Sequence, residues 1–315
     1  MCVIDSVKMS KEASLGKFEN TPHYPQEITV FSGIPKKVDS SSENPFGPDP
    51  LLPKLVADRR FELTGIAAGI QQVMKWEVNE GVMQHSDFMY NPWGRILRSV
   101  PEIIGSTTDT NARATAEKIR GYHNLIKGVD ENGERYHALN DETFFWPHAT
   151  FVMAAINVRN RFDRNPLSPA ETEKLYQESR IWYSLYGLSN RPVPKDYASF
   201  EKKWNDICNN KLEATPLAKT VVDKIRTRTV EKRPDIPEFI WNKMLLKIPG
   251  NEVIRILAFG GLQPVLRKKL DIEWSRFDQM KLTAIEEVVK TFWSKEWDPN
   301  IPDIRIKPRA WTKNE

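Results

Sequence analysis

The sequence predicts an all-α protein: one multi-helix domain behind an irregular N-terminal arm. Three observations lead there. Apolar residues recur with a helical period along most of the chain beyond residue 56. Residues that start and stop helices fall where that period begins and ends. Strand patterning is confined to one short stretch around an Asn-Gly pair. With 315 residues, 40% of them apolar, the chain can bury a sizeable core.

Residues 1–55 read as the arm, because "VDSSSENPFGPDPLLPK" is rich in Ser, Pro and Gly and has no period. The helical domain is expected over 56–300, with a polar tail over 301–315. "RRFELTGIAAGIQQVMKWEV" sets Phe61, Leu63, Ile66, Ile70, Val73 and Met74 near a 3.6-residue spacing and reads as one helix. "NARATAEKIRGYHNLIKG" reads as a second, with Gly128 closing it. "GVDENGERYHAL" reads as a short hairpin turning at Asn132-Gly133. A further helix is expected from near Thr143, capped by Thr143 or Asp141, so that Pro147 falls in or just past its first turn, where a missing N–H costs little. In "SPAETEKLYQESRIWYSLYG", Ser168 is placed to cap, Pro169 to occupy the first position, Glu171 to complete a capping box and Gly187 to close. Helices also follow from "YASFEKKWNDICN", "TPLAKTVVDKIRT", "IPEFIWNKMLLKI" and "SRFDQMKLTAIEEVVKTFW".

Composition excludes several classes. The 46 basic and 42 acidic residues leave a formal charge of +4, interspersed rather than blocked, so there is no nucleic-acid footprint. Two cysteines, Cys2 and Cys208, give no CxxC zinc framework and point to a reducing, cytoplasmic setting. No window has the apolar length of a membrane span, which leaves only peripheral membrane contact. P-loop, dinucleotide and nucleophile-elbow patterns are absent, and "DENGERYHALNDE" puts its glycine in the wrong place for a calcium loop. Oligomeric state is not legible.

Five histidines carry the remaining chemistry: His23, His85, His123, His137 and His148. His23 and His137 read as loop residues. His148 stands behind Pro147, close to a helix start, either as a hydrogen-bonded core residue or facing a cavity. His123 shares a helix face with Arg120, three residues earlier, as a surface pair or beside an anion-lined pocket. Helix, hairpin and helix would let His123 and His148 face each other across a gap, the arrangement a haem needs. The order His85-x-Asp87, His148, Arg159 also matches a non-haem iron triad, but that triad belongs on strands this chain lacks.

Three stretches are familiar: "GVMQHSDFMYNPWGRI" at 81–96, "RGYHNLIKG" at 120–128 and "YHALNDETFFWPHAT" at 136–150, with a weaker block at 186–204. In this order they resemble the MpaB and latex-clearing-protein family, the rubber-oxygenase catalytic domain. The resemblance implies an all-α fold with a globin-like core, a haem b cofactor, dioxygen as co-substrate and a hydrophobic substrate such as an isoprenoid chain cleaved at a double bond. It implies His148 as the proximal iron ligand, and His123 on the distal side, as catalytic residue or second ligand. Arg120 would support the haem edge or distal pocket. Trp146, Thr150 and His85 are the other cofactor-binding candidates, His85 as a supporting residue. Pro147 departs from the family pattern, where valine is commoner. A non-catalytic haem or hydrophobic-ligand carrier is the alternative on the same scaffold.

Overall fold

The computed structural model describes residues 45–234, 242 and 249–293. Twelve helices and one two-stranded hairpin are found among them. The arm up to residue 44, the expected tail over 301–315 and all of the expected helix "IPEFIWNKMLLKI" except Asn242 lie outside the described residues. Within the end of the expected arm, Leu52–Val56 forms a short helix (α1). Its open N-terminus is closed from a distance: the backbone N–H groups of Leu51 and Leu52 donate to the buried carboxylate of Glu178 at 2.8 and 2.6 Å.

The long apolar period over 59–78 is two helices, Arg60–Val73 (α2) and Trp76–His85 (α3). Lys75 breaks it with extended backbone, φ −87° and ψ 124°, and the apolar spacing runs across the break without marking it. Pro92–Thr108 (α4) is capped by Asn91, and Ala112–His123 (α5) by Asn111. The second of these ends earlier than its sequence suggests. Gly128 is not its closing residue but sits in strand Lys127–Val129 (β1), antiparallel to Arg135–His137 (β2). The glycine is needed there because a Cβ would stand 2.8 Å from the Tyr136 hydroxyl. The hairpin itself is as expected, with Gly133 at φ +85°.

Asp141–Phe162 (α6) is the axis of the domain, and α1 and α2 pack on it. Pro169–Leu185 (α7) packs beside it and shows the predicted capping box, Ser168 with Glu171, and a left-handed Gly187 at φ +67°. Tyr197–Asn210 (α8), Pro216–Arg226 (α9), Gly250–Gly260 (α10), Pro264–Lys269 (α11) and Arg276–Trp293 (α12) complete the bundle. The core is ring-rich: Phe145, Trp146, Tyr176, Trp182, Tyr183 and Phe200 are each fully buried. An ion cluster fastens the ends of α2 and α6. Buried Arg60 is held by Asp58 at 2.7 Å and Asp163 at 2.8 Å. Among the described residues no helix is long and apolar enough to cross a membrane.

Candidate functional site

His148 lies in the second turn of α6. The helix begins earlier than the sequence suggests, because Asn140, rather than Thr143 or Asp141, is the cap, its side chain accepting from the Glu142 N–H at 3.2 Å. Pro147 is therefore inside the helix, a position that costs about 3 kcal/mol in an isolated helix. Burial of Phe145, Trp146 and Ala149 around it holds the helix regardless of that cost.

The imidazole of His148 is 4% exposed, and neither ring nitrogen has a hydrogen-bond partner among the described residues. Burial drives its pKa down to about 3. The Ser179 backbone opposes this shift but does not reach hydrogen-bonding geometry with either nitrogen. At neutral pH the ring is thus uncharged, with an available lone pair. An unpaired polar group in a dry interior costs roughly 1–3 kcal/mol, so this position is expensive to maintain without a partner. Rings surround it: Trp182 at 4.8 Å, Tyr183 at 5.0 Å and Tyr186 at 6.3 Å between centroids. Trp182 is fixed by donating from Nε1 to Ser106 Oγ at 2.8 Å. The Tyr183 hydroxyl is buried and unpaired.

His123 is the last residue of α5. Its Nδ1 lies 2.8 Å from the Ile119 carbonyl, which can only accept, so Nδ1 carries the proton and Nε2 keeps its lone pair. Desolvation lowers its pKa, the Ile119 bond opposes this, and the Arg95 charge adds to the lowering. His123 and His148 do not face each other across open space. His123 meets Phe144 at 5.4 Å, Phe144 meets Tyr186 at 5.0 Å, and Tyr186 meets His148. Two rings thus fill the interval in which the sequence suggests a gap.

The other expected residues are dispersed. Arg120 donates from Nη1 to the carbonyls of Tyr186 at 3.0 Å and Gly187 at 3.3 Å. It ties α5 to the C-terminal end of α7, where a cation is favoured. Trp146 turns away from His148, stacking on Trp204 at 4.9 Å and donating to the Gln71 carbonyl at 2.9 Å. The Thr150 hydroxyl donates to the Pro147 carbonyl and accepts from Gln72 Nε2, each at 2.7 Å. His85 pairs with the Tyr136 hydroxyl at 3.1 Å, and burial lowers its pKa. Asp87 is held by Arg98 at 2.8 Å, and Arg159 donates to the Asn165 carbonyl. The non-haem triad is therefore not assembled: His85, Asp87 and Arg159 each have a different partner, and none of them meets His148. Trp182, Tyr183 and Tyr186 were missed, although "IWYSLYG" at the end of a well-capped helix offers three large rings at helical spacing.

The donor set suits an iron porphyrin: a neutral, unpartnered imidazole in an aromatic wall. A planar group between the two histidines would have to displace Phe144 and Tyr186. Fold and site together define an all-α domain whose central helix carries a buried histidine with both ring nitrogens unpaired among the described residues. More specifically, residues 54–291 match the family described as "ER-bound oxygenase mpaB/B'/Rubber oxygenase, catalytic domain", and the chain belongs to that family of oxygenases. Comparison with curated proteins gave no match, nor did comparison with solved structures.

Proposed function

We propose that the chain is a haem b-dependent oxygenase acting on a hydrophobic small molecule, with oxidative cleavage of an isoprenoid double bond as the favoured reaction. One observation carries the reading: a buried imidazole with two unsatisfied nitrogens in a family of oxygenases. When bound, the haem would supply dioxygen activation, which no side chain performs. His148 would hold the iron through its lone pair. Trp182, locked by Ser106, and Tyr183 keep water from that ligand.

His123 would stand on the opposite face. Its tautomer gives it a definite role: with Nδ1–H committed to Ile119, the neutral ring offers only an acceptor at Nε2. It is suited to take a proton or to ligate, not to donate a hydrogen bond. Arg120 is a positioning residue, setting the end of α7 and so the Tyr186 ring.

The test is an absorbance spectrum of the purified chain before and after reduction, with and without added haemin. A Soret band in the wild type that disappears in His148→Ala is expected. A protein that takes up no haemin would overturn the proposal. The free Nε2 of His123 also favours a second reading, a six-coordinate carrier of haem. Reduced protein that binds carbon monoxide supports the oxygenase, whereas one that refuses it supports the carrier.

A further inference from the structure

His148 has no hydrogen bond to orient it: both ring nitrogens are unpaired among the described residues. A histidine that ligates a metal is ordinarily aimed by its other nitrogen, which donates to a carboxylate, a carbonyl or a water. Here the direction of the ring is left to its walls, Trp182, Tyr183 and Tyr186. Whichever wall is itself fixed decides where the imidazole points.

Trp182 is the nearest of the three, at 4.8 Å between centroids, and it is fully buried. Its indole can only donate, and it gives its one N–H to Ser106 Oγ at 2.8 Å. Ser106 is fully buried as well, and its own proton goes to the Ile103 carbonyl at 2.7 Å. The hydroxyl therefore has a lone pair for the indole and no proton to spare. The hydrogen bonds run one way, from Trp182 through Ser106 into the backbone of α4. Tyr186 meets them at the same point: burial raises its pKa, while Ser106 and Trp182 both oppose the rise. The end of α4 that carries Ser106 is pinned in turn. The Gly105 carbonyl accepts from the Asp109 N–H at 2.9 Å, and the Asp109 carboxylate accepts from Thr115 of α5 at 2.6 Å.

We propose that Ser106 is the positioning residue for His148, acting through the Trp182 indole. It ties the last turn of α4 to the ring wall on α7, and so sets the angle of an imidazole that stands on α6. The purpose of this arrangement, aiming an iron ligand, rests on the haem reading. Its geometry does not, because it involves only side chains of the chain itself.

The test is NMR of the full chain without haemin, isotope-labelled at the histidine Cε1 position. The signal missing from His148→Leu belongs to His148, and the Trp182 ring current acts on it. Ser106→Ala frees the indole and should move that signal, leaving those of His85 and His137 in place. Trp182→Phe keeps a ring, removes the N–H and reaches the same bond from the other side should Ser106→Ala fold poorly. It should move the signal too, and adding Ser106→Ala to it should move the signal no further. In a haemin titration, Ser106→Ala should weaken uptake about fivefold to tenfold, the scale of one hydrogen bond. A signal that stays in place in either folded variant would overturn the proposal. So would an equal displacement by Ser106→Ala with and without the indole, or unaltered haemin affinity in Ser106→Ala. Wild type that takes up no haemin overturns the haem reading instead, and the signals still decide whether Ser106 positions the ring.

Discussion

Helices α6 and α4 are both long, both interrupted by proline, and opposite in how they are used. Helix α6 carries apolar residues on most of its surface and is buried accordingly, from Phe144 to Phe162. Helix α4 separates apolar from polar residues cleanly, yet Ile96, Leu97, Val100, Ile103 and Ile104 are only half-buried. Full burial is confined to Gly105, Ser106 and Thr107 at its C-terminal end. A clean apolar stripe shows which face seeks cover, not that cover is complete. The His148 side of the domain is accordingly dry and fixed, whereas the α4 side is thinly closed.

Four variants would break or sharpen that contrast. The largest effect is expected from His148→Ala, which should abolish haem uptake in the haemin titration. His148→Leu separates ligation from folding. It should also abolish uptake, yet leave the cofactor-free protein as stable as wild type or about 1 kcal/mol more stable by urea denaturation, because it removes a buried polar ring with no partners. On the dry side, Trp182→Ala should cost about 3–5 kcal/mol. Leu97→Ala on the thin side should cost only about 1 kcal/mol. Similar losses at both positions would erase the distinction.

The pH dependence tests the same burial. The free imidazole titrates near 6.5, and in the fold His148 does so near 3. Between those values the unfolded chain holds the extra proton. Stability should therefore fall as pH drops from about 6.5 towards 3, by up to about 1.4 kcal/mol per pH unit from this group. His123, shifted in the same direction, adds to the fall. His148→Leu should flatten the slope, and an unchanged slope would place the proton elsewhere. Arg120→Ala should have a smaller effect, costing about 1–3 kcal/mol by freeing two carbonyls at the end of α7.

Legibility in the sequence followed the range of the forces involved. The ends of α7 could be read because Ser168, Pro169, Glu171 and Gly187 act on backbone within a few residues of themselves. The break at Lys75 could not, since the apolar spacing runs through it. Gly128 resembled a helix stop, but its need for glycine comes from Tyr136 across the hairpin. His148 could be singled out because its surrounding motif is local. Its walls could not, because Trp182, Tyr183 and Tyr186 reach it from another helix.

Pro147 offers no N–H to the Thr143 carbonyl, so α6 lacks one rung of its ladder directly before His148. The rungs after it, from the N–H groups of His148, Ala149 and Thr150 back to Phe144, Phe145 and Trp146, still cross the gap. Phe144, one of the two rings standing between the histidines, is mounted on the upstream piece, and the imidazole on the downstream one. The first turn, which carries Phe144, is therefore tied to the turn of the imidazole by one backbone bond fewer than in an unbroken helix.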